Sequence, residues 1–146
     1  MGWYSTNRKP EEYTFGDIFL GQKKQFKVVV AESMLNKFAE LSGDYNPLHM
    51  DEDYAKTTSF KRRVCHGSLL ASFFSQLIGM HIPGKNALYL SQSIKFISPC
   101  FIGDEVTVEG TVSDKSESTR IITLQTIIVN SSGNHLIEGE AKVLVR

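Results

Sequence analysis

The chain has 146 residues, 41% of them hydrophobic and 22% charged, which fits one globular domain and excludes a disordered or collagen-like chain. Lys+Arg and Asp+Glu both number 16, so the formal net charge is zero and no overall field gathers nucleic acid or an anionic membrane. Cys65 and Cys100 form neither a disulfide framework nor a metal knuckle; residues 1–10 carry no signal-like apolar core, and the longest apolar stretch, Leu69 to Met80, falls short of the ~20 residues of a membrane span, so a reduced, cytoplasmic protein without a membrane partner is expected.

Residues 1–20 have weak periodicity and are expected to form an arm leading into a single domain that fills 1–146. Gln25 to Val30 predicts a first strand. Met34, Leu35, Phe38, Ala39 and Leu41 then recur at helical spacing, with Gly43 as a stop. Asp44-Tyr45-Asn46-Pro47 must be irregular, because Pro47 has no N–H and drives Asn46 out of helical geometry. Asp51 to Thr58 suits one or two helical turns, and Lys61-Arg62-Arg63 is a short basic run. From Gly67 to Gly79, Leu69, Leu70, Ala71, Phe73, Phe74, Leu77 and Ile78 cover almost every face of a helical wheel, which predicts a helix in the core. The rest reads as strands: Tyr89 to Ile97; the alternating Val106, Val108, Gly110, Val112; Arg120 to Val129; and Ile137, Gly139, Ala141, Val143, Val145 after a turn at Ser131-Ser132-Gly133-Asn134. Strands grouped after helices predict an α+β fold with an antiparallel sheet wrapped around the buried helix.

Groups suited to catalysis cluster in Ser42-Gly43-Asp44-Tyr45-Asn46-Pro47-Leu48-His49. A carboxylate and an imidazole on a segment held out of helix could share one water, and an imidazole works near neutral pH. Spacing alone fits an ordinary turn as well. A second feature is His66-Gly67-Ser68 at the start of the buried helix. The free N–H groups and partial positive charge of a helix N-terminus can hold an oxyanion, and a glycine lets substrate close to the backbone; the alternative is a plain helix start. His66 alone reads as structural, and a mid-helix serine such as Ser75 normally bonds its own helix. The four histidines lack metal-ligand spacing, and no nucleophile elbow or phosphate loop is present, so no metal is expected.

Taken together, Leu41-Ser42-Gly43-Asp44-Tyr45-Asn46-Pro47-Leu48-His49-Met50-Asp51 and Val64-Cys65-His66-Gly67-Ser68-Leu69-Leu70-Ala71-Ser72 closely resemble the R-specific enoyl-CoA hydratases of the MaoC-like hydratase-2 family. Thr58-Ser59-Phe60, Phe74-Ser75, Phe96, Pro99 and Gly103-Asp104 fit the same pattern, so the resemblance runs from about residue 15 to the end. It implies a hot-dog fold, an antiparallel sheet around one long helix, and a homodimer joined sheet edge to sheet edge. It also implies that Asp44 and His49 hold a water that adds syn across a trans-2-enoyl thioester, giving the R-3-hydroxyacyl-CoA. The Gly67 N–H would bind the thioester oxygen, Asn46 would orient the loop, and Ser75 would lie near the pair. No cofactor is implied, because the thioester acidifies the α-carbon.

Two positions depart from the pattern: Arg63 stands where the family usually has proline, and Cys65 where an aliphatic residue is commoner. Arg62 and Arg63 are candidate contacts to the CoA phosphates. Alternatives on the same fold are a dehydratase of 3-hydroxyacyl groups on acyl carrier protein, which runs the same equilibrium backwards, and a non-catalytic acyl-thioester binding module, which would not need Asp44 and His49.

Overall fold

The computed structural model describes residues 8–146; the first seven residues of the expected arm lie outside them. The remainder of that segment packs into the domain. Phe15 and Ile18 are buried in the core, and Lys115 Nζ donates to the carbonyls of both, at 2.9 and 2.7 Å.

Strand β1 (Lys23–Val29) leads into helix α1 (Glu32–Ser42), which stops at Gly43 with a left-handed φ of 80°. Two short helices follow, α2 (Pro47–Met50) and α3 (Glu52–Lys56). Helix α4 (Gly67–Gln76) passes into a wide π-helical turn, Leu77–His81. Then come β2 (Ala87–Gln92), β3 (Lys95–Phe96), β4 (Glu105–Ser116), β5 (Ile121–Asn130) and β6 (His135–Val145). The six-stranded sheet has the order β1-β4-β5-β6-β2, with β3 also on β6, and every pairing is antiparallel. This is the expected α+β architecture, with the apolar side of α4 packed in one core with the sheet.

The alternation read from the sequence holds in β4, where Val106, Val108 and Val112 are buried and Gly110 faces the same side. Gly110 leaves room for α4's continuation: a β-carbon there would lie 2.8 Å from Leu77 Cδ2. The expected strand Tyr89–Ile97 is two strands instead. The chain breaks after Gln92, where the Ser93 N–H and Oγ bond the Glu140 backbone, and pairs again at Lys95 and Phe96.

The central helix also differs from its expected all-round burial. Leu69, Leu70, Phe73, Phe74, Leu77 and Ile78 are buried, while Ser68, Ser72 and Ser75 are exposed. The serines dilute the apolar pattern only on one side of the wheel, and that side faces away from the sheet. Leu77→Ala, which empties a fully buried site against β4, should lower unfolding free energy by about 2–5 kcal/mol, read as a shift of the urea midpoint at unchanged slope.

Candidate active site

The site is built on the loop between α1 and α2. The Asp44 N–H donates to Ser42 Oγ at 3.2 Å, and Asp44 Oδ1 accepts from the Asn46 N–H at 3.1 Å. Asn46 Oδ1 accepts from the Leu48 N–H at 3.0 Å and so caps α2, with Pro47 at the first helical position. One turn of helix then places His49 facing back toward Asp44.

His49 Nε2 lies 4.0 Å from Asp44 Oδ2, with the His49 side chain 18% exposed and the Asp44 side chain 48% exposed. His49 Nδ1 is 2.7 Å from the Val64 carbonyl oxygen. A carbonyl only accepts, so Nδ1 carries the proton and, in the neutral ring, Nε2 presents a lone pair to the carboxylate. Two acceptors 4.0 Å apart do not bond each other; one water can span them, giving a proton to each.

His66 ties these parts together. It is 1% exposed, its Nε2–H donates to the Asp44 carbonyl at 3.0 Å, and its ring stacks on His49 with centroids 4.2 Å apart. Phe38 of α1 tilts against its other side at 4.9 Å. Its Nδ1 has no hydrogen-bond partner among the described residues. Burial is the main cause that lowers its pKa, aided by the neighbouring His49 and Arg63, so His66 is held neutral. Asp44, His49 and His66 each bring one ligand-type atom within 4.8 Å of the others. Stacked rings hold their in-plane lone pairs side by side rather than converging, and the other nitrogen of each ring is committed to a carbonyl. The cluster therefore suits proton transfer better than ion binding.

Gly67, next to His66, is the first residue of α4, where backbone N–H groups have no partner within the helix. A β-carbon at Gly67 would meet the Phe96 ring at 2.6 Å, so an exposed aromatic edge roofs the helix start. Ser75 does not join the cluster. It is exposed and lies two turns, about 12 Å, along the axis from Gly67.

The two arginines separate. Arg62 is exposed, its guanidinium 3.7 Å from the Phe101 ring centroid. Arg63 is 7% exposed and turns inward, its Nε donating to the His49 carbonyl at 2.6 Å and its Nη1 to Glu32 Oε1 at 2.8 Å. Glu32, the Val64 carbonyl, Phe38 and the support given by His66 were not read from the sequence as parts of the site. Each acts through a contact that joins separate segments of the chain, which residue type and spacing do not reveal.

The family profile described as the MaoC like domain matches residues 19–132. The chain belongs to this family. This MaoC-like chain is 45% identical over 124 residues to the (R)-specific enoyl-CoA hydratase of Aeromonas caviae, covering 85% of this chain and 92% of the relative. It is 44% identical to the enzyme of the same name from Rhodospirillum rubrum, covering 90% of each. Among solved structures, the A. caviae (R)-hydratase superposes with TM-score 0.86 at 43% identity over 88% of this chain and 98% of that one. An R-hydratase from Pseudomonas aeruginosa gives 0.90 at 34% identity over 93% and 87%. The MaoC-like fold expected from the sequence is thus a hot dog, and the relatives are hydro-lyases.

Because His66 binds fewer protons in the folded state than in the unfolded one, folding should lose stability as the pH falls from about 6.5, the ordinary histidine value, through its lowered native pKa. His66→Gln should flatten that part of a stability-against-pH curve measured by urea titration.

Proposed function

We propose that this protein is an R-specific enoyl-CoA hydratase in which Asp44 and His49 activate one water and the Gly67 N–H receives the developing enolate. The observation that carries the residue assignment is the 4.0 Å separation of Asp44 Oδ2 and His49 Nε2, with Nε2 left as a lone pair by the bond from Nδ1 to Val64. The water gives one hydrogen to each group and turns its own lone pair outward. As its oxygen bonds Cβ of the enoyl thioester, the C=C pair moves to Cα and charge builds on the thioester oxygen, where the N–H at the start of α4 stabilises it. The proton lost by the water passes to the pair, and the pair returns a proton to Cα. Both transfers come from one side of the substrate, so addition is syn, and the pair ends as it began.

Asn46 orients the loop through its cap on α2. The exposed Arg62 suits the phosphates of CoA, held flat on Phe101. The protein works as a homodimer seated on β2. This strand ends the sheet and exposes Leu88 and Leu90, whereas the opposite edge, β1, is guarded by Lys23 and Lys27 paired with Glu109 and Glu105. Two free, buried thiols accord with a cytoplasmic setting; no helix among the described residues is long and apolar enough to cross a membrane.

Asp44→Asn and His49→Gln should each lower kcat by about 10²–10⁴ with little change in stability. The assay is loss of the enoyl-thioester absorbance of crotonyl-CoA, with the product identified by an R-specific dehydrogenase. Near-normal turnover in either variant removes the pair from the mechanism, and an S product removes the stereochemical assignment. Leu88→Lys with Leu90→Lys should convert the dimer to a monomer in light scattering.

A further inference from the structure

We propose that Arg63 is a positioning residue that holds the His49 imidazole in its working tautomer, rather than a contact to substrate. The inference rests on the hydratase reading for its kinetic consequence and on geometry alone for its structural one.

Helix α2 has four residues, none of them buried. A helix this short cannot hold itself by its own hydrogen bonds, and its last carbonyls have no partner within it. The segment 63–64 supplies what is missing. The Val64 N–H donates to the Leu48 carbonyl at 3.1 Å. The Arg63 Nε–H donates to the His49 carbonyl at 2.6 Å. The Val64 carbonyl accepts from His49 Nδ1 at 2.7 Å. Backbone and ring of His49 are therefore gripped by two consecutive residues of one strand-like segment, the backbone through a charge-assisted bond.

The guanidinium is itself anchored. Nη1 donates to Glu32 Oε1 at 2.8 Å, in the first turn of α1, and Nη2 lies 3.9 Å from Met50 Sδ. A cation this deeply buried costs much free energy unless paired, and the Glu32 carboxylate meets that need from the solvent side. The result is a strap from α1 through Arg63 to α2. Its removal frees the end of α2, lengthens the bond from His49 Nδ1 to Val64, and lets the ring proton move to Nε2, where it would block acceptance of a proton from water. A phosphate role needs donors open to solvent, whereas Arg63 is buried and its Nε and Nη1 donors are already taken by His49 and Glu32.

The test is Arg63→Met, which keeps an unbranched apolar stem to fill the buried path and removes the donors. Nitrogen NMR of the histidine rings at neutral pH should show His49 as a single Nδ1–H tautomer in the native protein and as a mixture in the variant. With crotonyl-CoA, kcat should fall roughly ten- to a hundredfold while KM stays within about twofold. Arg63→Lys, which can reach one partner but not both, should recover only part of each. If Arg63→Met does not fold, Glu32→Ala carries the same readouts, with the same shift expected in weaker form. An unchanged His49 tautomer overturns the proposal, and so does a raised KM with kcat intact, the signature of a lost CoA contact. The ring spectrum needs no turnover, so failure of the hydratase reading would leave the tautomer result standing.

Discussion

The bond from His49 Nδ1 to the Val64 carbonyl is the constraint on which the site depends. A neutral imidazole has one proton and two nitrogens, and spending the proton on a carbonyl decides that the other nitrogen is a base. The Asp44 carboxylate then faces a lone pair rather than an N–H, and the space between them becomes one that a water can fill with both of its hydrogens. If His49 bonded Asp44 directly, the water would have no place between them.

Around this bond the protein arranges neutral supports rather than more charge. His66 reaches the backbone of Asp44 with one nitrogen and lays its ring on His49. Burial discourages its protonation, so His49 rests on an aromatic face and not on a second cation. Arg63, a buried cation nearby, is balanced by Glu32. Relatives in the MaoC-like family are named hydratases and dehydratases, chemistry in which a base takes a proton and returns it.

Much of this was legible in sequence because it is local. The irregular stretch at Asn46-Pro47 follows from proline geometry, Gly43 marks a helix stop, and the alternation of Val106, Val108 and Val112 a half-buried strand; that Asn46 caps a helical turn at Pro47–Met50 was not read from the sequence. The long motif at residues 41–51 brought the family resemblance, and with it the sheet-around-helix fold. Contacts that join distant segments were not legible. Nothing in Lys61-Arg62-Arg63 distinguishes the arginine that faces solvent from the one that turns inward. That difference arises because Val64 pairs with Phe101 and fixes which side of the segment looks toward α1. The break inside Tyr89–Ile97 was hidden for a similar reason, since it is set by how the chain crosses β6.

The π-helical turn at Leu77–His81 solves a problem of phase. The buried pairs on the central helix, 69/70, 73/74 and 77/78, repeat every four residues, and each such step overshoots one α-helical turn by about 40°. Continued as plain α-helix, the pattern would slip progressively off the sheet. The wider turn unwinds part of that excess as the helix ends, and the chain leaves it at Ile82, which is fully buried in extended geometry and donates its N–H to the Leu77 carbonyl at 2.9 Å. That bond from residue i+5 back to residue i fixes the spacing between Leu77 and Ile82: one residue fewer would close an ordinary α-helical turn instead, and would shift by about 100° the direction in which the chain leaves the helix for β2.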